Sequence, residues 1–153
     1  MTFLIPENMT WIFCTRGTRF SYTFYYPTQL PCENPTRLGK SGVQPTPSHP
    51  IHASITALDH EAMDILALEP GNEKTADQAH SEFENYLVRT KNTICGRHPI
   101  GLLLSALAGI QETRAGDSAT EDTTLHWVKY AQSSACRSVQ DSSVSYASAY
   151  VVI

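Results

Sequence analysis

A chain of 153 residues suits one domain and is too short for two. Its hydrophobic share of 41% permits a core, while a net charge of −4 gives no electrostatic basis for binding nucleic acid. No apolar run is long enough to span a membrane, and four widely spaced cysteines without a CxxC argue against a zinc ribbon or a disulfide framework, which points to a reducing compartment, the cytoplasm or the nucleus.

The start, MTFLIPENMTWIFC, has no basic stretch and is interrupted at Pro6, so it reads poorly as an export signal. Thr10 to Cys14 and Tyr22 to Tyr26 have the composition of short strands. Residues 27–50 hold six of the nine prolines and two glycines, which bars a helix or a central strand. This stretch is expected to be a long extended loop, either functional or disordered, with disorder the favoured reading. Gly39-Lys40-Ser41 looks like the tail of a phosphate loop, but Asn34 stands where that motif needs its first glycine.

A helical period begins at Ile51. Ile51, Ile55, Leu58, Ala62 and Ile65 recur at spacings of three and four, which predicts a helix to about Leu68, stopped by Pro70. A second helix is predicted over Thr75 to Lys91, with Ala79, Phe83 and Tyr86 or Leu87 inward. A third is predicted from Pro99, a residue suited to a first helical turn, to about Thr113. Ser105 is the only polar residue between Ile100 and Ile110, so this helix should be covered on every side, with Gly101, Ala106, Ala108 and Gly109 allowing close approach. After the acidic stretch RAGDSATEDTT come two predicted strands, Leu125 to Ser133 and Ser143 to Val152. In the second, Tyr146, Tyr150 and Val152 share one face with Val144, and the small Ser145, Ala147 and Ala149 share the other with Val151, where a helix could pack. The belt between these strands, Gln132 to Ser143, reads either as a hairpin end rich in side-chain-to-backbone bonds or as a pocket rim.

The stretch NTICGRHPIG at 92–101 concentrates chemistry. Cys95 lies just before the third helix with Arg97 two residues on, and helix dipole and guanidinium both favour thiolate. Cys95 is therefore either a reactive or metal-binding thiol or ordinary packing. His98 reads as a local helix-start residue, and Cys136 is a second thiol without an evident partner. No GxSxG, HExxH or GxGxxG motif is present, and the six histidines are scattered.

NTICGRHPIG, YAQSSAC at 130–136 and QDSSVSYA at 140–147 resemble the C-terminal part of the Memo family, mediators of ErbB2-driven cell motility. IHASITALDHEAMDIL at 51–66 looks like a helix of that family, and FCTRGTRFSYTFYY at 13–26 is similar to its FCHWGxRFxYxxY stretch. Residues 1–12 show no likeness. The predicted elements make an α/β chain with about three helices and three to four strands, and the resemblance implies that they are part of a sandwich like that of class III extradiol dioxygenases, with an incomplete sheet. It also implies that Cys95 matches the family's pocket cysteine, a ligand to iron or copper. Ile12, Thr15 and Arg16 stand where the family has Asp, His and Trp, and other pocket histidines lie in a part with no counterpart here. One carried-over donor does not hold a catalytic metal, which needs about four.

Three readings follow from the resemblance. The first is a truncated Memo-like protein without intact metal-dependent catalysis and with no cofactor. The second is a binding protein in cytoskeletal signalling, with Phe20, Tyr22, Phe24, Tyr25 and Tyr26 as its contact surface. The third is a metal-dependent redox or dioxygenase-like enzyme that has rebuilt its site from His49, His52 or His126. An incomplete sheet also predicts self-association through exposed strand edges.

Overall fold

The computed structural model describes residues 9–13, 25–26, 36–37, 45–48, 50–71, 73–114, 123–138 and 140–153. In chain order the elements are β1 (Met9–Phe13), β2 (Tyr25–Tyr26), β3 (Thr36–Arg37), α1 (Ile51–Leu66), α2 (Ala76–Thr90), α3 (Arg97–Arg114), β4 (Thr124–Gln132) and β5 (Ser145–Val152). The α/β class expected from the sequence holds, with three helices. The strands number five among the described residues, one more than expected, because Thr36–Arg37 in the proline-rich stretch pairs antiparallel with Tyr25–Tyr26. A two-residue strand needs little more than one ladder step, which proline at neighbouring positions does not forbid. The rest of the 27–44 loop lies outside the described residues.

β5 is the centre of a three-stranded antiparallel sheet, ordered β1-β5-β4. Alternation along β5 works as the sequence predicts. Ser145, Ala147 and Ala149 are buried, and Tyr146, Tyr150 and Val152 are exposed. The small inward side chains let the helical layer come close. β4 lies over α1, where the Trp127 indole N–H donates to the Met63 carbonyl at 2.8 Å. The register of β4 slips between Trp127 and Lys129, leaving Val128 in an exposed bulge. A bulge and a lysine on an edge strand both discourage pairing with another chain.

α1 ends two residues before its predicted stop. Ala67 turns extended, and Leu68 exchanges backbone hydrogen bonds with Leu125 at 3.0 and 3.3 Å. Those bonds satisfy Leu68 outside the helix, so tertiary pairing overrides the helical period. The start of α1 has no side-chain cap at Pro50. The Cys136 carbonyl accepts from the His52 N–H instead, at 3.1 Å. α2 matches its predicted span, and its caps explain why. Thr75 and Gln78 form a capping box, and Lys91 closes the helix in the left-handed region at φ 56°. Ala79, Phe83 and Tyr86 face inward, with Leu87 half-buried.

α3 begins at Arg97 rather than Pro99, which places proline within the first turn where its missing N–H is harmless. The expectation that α3 is covered on every side fails among the described residues. Ile100, Leu104 and Leu107 are buried, but Leu102 is 74% exposed and Ala106 and Gly109 face outward. The described neighbours occupy one side only. Gly101 does serve close approach, since a Cβ there would lie 3.1 Å from the His80 ring, whereas one at Gly109 would meet nothing. The core joins Ala62, Met63, Leu66 and Leu68 to Phe83 and Tyr86, to Ile94, Ile100, Leu104 and Leu107, and to Leu125, Ala147 and Ala149.

Candidate functional site

The densest polar chemistry centres on Asp59, on the inner face of α1. Its position continues the Ile55 stripe by four residues, so the helix turns it into the core beside Leu58, Ala62 and Met63. Buried carboxylates need donors, and three segments supply them. The Tyr130 hydroxyl, from β4, donates to Oδ2 at 2.7 Å, and the Asn92 amide, from the segment after α2, donates to Oδ1 at 3.3 Å. Ser145 of β5 also hydrogen-bonds the carboxylate. The same Asn92 amide donates to the Tyr86 hydroxyl at 2.8 Å, and Tyr86, from α2, donates to the Leu58 carbonyl at 2.7 Å.

Charge is costly here. Burial raises the Asp59 pKa above its usual value, and the hydrogen bonds from Ser145, Tyr130 and Asn92 only partly offset it. Tyr86 is pushed up by burial, with the Asp59 charge adding to it. Tyr130 is raised to about 12, by burial first and by Asp59 second. The network is therefore neutral phenols around an acid that resists ionisation.

A second tier extends it to the surface. Gln132 donates to the Tyr130 hydroxyl at 3.1 Å, to the His52 carbonyl at 3.0 Å and to Thr56 Oγ1 at 3.0 Å. The His60 ring meets Tyr130 edge-on at 4.7 Å, and its Nδ1 lies 2.8 Å from the Thr56 carbonyl. The hairpin end beyond Gln132 takes the first of its two expected forms. Asp141 accepts from the Arg137 and Ser138 N–H groups at 2.8 and 2.9 Å, which lowers its pKa, and Ser143 donates to the Ser134 carbonyl at 2.7 Å. It is a hairpin built on side-chain-to-backbone bonds.

NTICGRHPIG separates into inward and outward residues. Asn92 reaches the Asp59 network and Ile94 is fully buried, while Cys95, Arg97 and His98 are exposed at the turn into α3. Among the described residues, no group of three or more His, Cys, Asp or Glu side chains is placed to share a metal ion, so Cys95 is not brought together there with a donor set. Cys136 is buried, and burial followed by the Asp141 charge pushes its thiol up. His52 Nδ1 lies 3.3 Å from the Cys136 carbonyl, and His126 lies 3.7 Å from Glu69 and 5.1 Å from the Tyr150 ring. His52 and His126, two of the three histidines from which a rebuilt site was considered, thus have separate partners, while the third, His49, lies outside the described residues, as do Thr15, Arg16, Phe20, Tyr22 and Phe24. Sequence reading missed Asp59. Its only local signal is an acid on an apolar stripe, which equally marks a stripe's solvent boundary.

No helix among the described residues is long and apolar enough to cross a membrane. The family described as Memo-like protein matches residues 12–150. Protein MEMO1 of Xenopus laevis is 38% identical over 152 residues, covering 97% of this chain and 39% of its own length. MEMO1 family protein MHO1 of Saccharomyces cerevisiae is 38% identical over 158 residues, and Protein MEMO1 of Homo sapiens is 36% identical over 152. The match covers 97% of this chain in both cases, but 44% of the yeast relative and 39% of the human one. The chain thus spans about two fifths of the length of these curated relatives, and with the family matched over most of its residues, it belongs to the Memo family.

Proposed function

We propose that this chain acts as a protein-binding member of the Memo family, in the cytoplasm or nucleus, within the ErbB2-driven motility signalling that the sequence resemblance implies. In this reading it works by recognition rather than by metal-dependent catalysis. One observation carries it. The reactive groups of the interior, Asp59, Tyr86 and Tyr130, are engaged with one another, whereas Val128, Tyr146, Tyr150 and Val152 stand exposed on β4 and β5. Tyrosines that present an apolar body and a polar tip are favoured contact residues. We also read the antiparallel sheet with its helical layer as part of the dioxygenase-like α/β sandwich.

A photo-crosslinking residue placed at Tyr150 tests the reading in cells that signal through ErbB2, with the same residue at Glu84 on the outer side of α2 as control. The expected result is an adduct with a motility-signalling protein from position 150, absent from position 84 and lost on Tyr146→Ser. Equal labelling from both positions, or an adduct indifferent to Tyr146→Ser, would count against it.

The second reading is a metal-dependent redox enzyme of the family, with Cys95 as a ligand to iron or copper. It is favoured by Cys95 standing accessible within the motif NTICGRHPIG. Metal analysis after loading with iron(II) or copper separates the two. Stoichiometric metal that is lost on Cys95→Ala supports the enzyme.

A further inference from the structure

The two oxygens of Asp59 are chemically unequal. Oδ1 faces the Asn92 amide nitrogen at 3.3 Å, a group that can only donate. Oδ2 faces the Tyr130 hydroxyl at 2.7 Å, and that hydroxyl lies 3.2 Å from Ser145 Oγ. Both hydroxyls can donate or accept. A proton on Oδ1 would point at another donor, whereas a proton on Oδ2 finds an acceptor at hydrogen-bonding distance. The titratable groups around the carboxylate are His60 on its own helix, Tyr86 from α2 and Tyr130 from β4, while Asn92 and Ser145 are neutral. The nearby Glu61 on α1 is paired with Arg89 of α2.

We propose that Asp59 is a protonation latch: one proton from solvent, taken up on Oδ2, reverses the Asp59–Tyr130 hydrogen bond and turns the Tyr130 hydroxyl toward Ser145. The bonds balance in both states. In the ionised state Tyr130 and Ser145 donate to the carboxylate, and Gln132 donates to Tyr130. In the protonated state Asp59 donates to Tyr130, which still accepts from Gln132 and now donates to Ser145. Asn92 keeps its bond to Oδ1 throughout. The proton therefore acts on the β4–β5 side of the network and leaves the grip on the 92–96 segment alone. Gln132, which spans Tyr130 and the His52 and Thr56 atoms of α1, carries the change to the start of that helix.

Carbon-13 NMR of the full chain tests this, following the Asp59 carboxyl carbon, the Tyr130 Cζ and the Asn92 side-chain amide from pH 8 down to pH 4. The expected result is a shared one-proton step for Asp59 and Tyr130, with a midpoint above the ordinary carboxylate value and the Asn92 amide nearly still. Tyr130→Phe, which removes a donor to the carboxylate, should move the Asp59 midpoint upward, and Asp59→Asn should abolish the Tyr130 step. A Tyr130 step that persists in Asp59→Asn and disappears in His60→Gln would assign the proton to His60 and overturn the proposal. An ordinary Asp59 midpoint, or an Asn92 signal that moves with the carboxyl, would overturn it as well. Should Asp59→Asn fail to fold, the wild-type titration together with Tyr130→Phe still decides.

Discussion

Tyr86→Phe removes one oxygen from the middle of the core and nothing else. The ring keeps its place, since Tyr86 is almost fully buried and stacks on Phe83 with centroids 6.3 Å apart at an interplanar angle of 8°. Two hydrogen bonds disappear, one given to Leu58 at 2.7 Å and one taken from Asn92 at 2.8 Å. The Leu58 carbonyl lies inside α1 and keeps its helical partner, so it is not orphaned. The Asn92 amide keeps only its longer 3.3 Å bond to Asp59. A weakened buried donor and two lost bonds predict a cost of about 1–3 kcal/mol. For a chain of this size that corresponds to a Tm lower by roughly 2–4 °C per kcal/mol. Urea unfolding followed by tryptophan fluorescence measures it, with an unchanged m value showing that the native fold persists. A double-mutant cycle with Asn92→Ala should give a coupling of about 0.5–1.5 kcal/mol, because each variant removes the same 2.8 Å bond. A Tyr86→Phe cost below about 0.5 kcal/mol, or strict additivity with Asn92→Ala, would refute the claim that this hydroxyl ties α1 to the segment after α2.

The remaining predictions concern α2, α3, the thiols and pH. Gly109→Ala should raise stability by about 1 kcal/mol from helix propensity alone, while Gly101→Ala should gain less because its Cβ meets the His80 ring; adding His80→Ala should restore the missing gain in the same urea assay. Thr75→Ala should cost about 1 kcal/mol by removing the α2 capping box, and hydrogen exchange should show the loss first at the start of that helix. In peptide-resolved alkylation by mass spectrometry Cys95 should label quickly and Cys136 only on unfolding, since one is exposed and the other buried with its thiol pKa raised. The Asp59 pKa is higher folded than unfolded, so its ionisation opposes folding. Its contribution to stability should be most favourable below the unfolded carboxylate pKa and be lost as pH rises through the raised folded value, a slope that should vanish when wild type is replaced by Asp59→Asn in urea titrations at each pH.

What the sequence alone determined here is local. α2 is legible to within a residue because Thr75, Gln78 and Lys91 act on backbone groups within one turn of themselves. The two faces of β5 are legible because side chains alternate along any strand, whatever its partner. Cys95 is legible as a residue at a helix start for the same reason. What only the tertiary structure decided depends on partners far along the chain. Leu68 leaves its helical period to pair with Leu125, and α1 takes its missing cap from Cys136. Asp59 is tolerated in the core because Asn92, Tyr130 and Ser145 converge on it from three other segments. A periodic pattern records which side of an element avoids water; it carries no information about which donor will stand opposite a buried acid. That choice is made only when the elements meet, because the cost of burying a charge is offset by groups adjacent in space rather than in sequence.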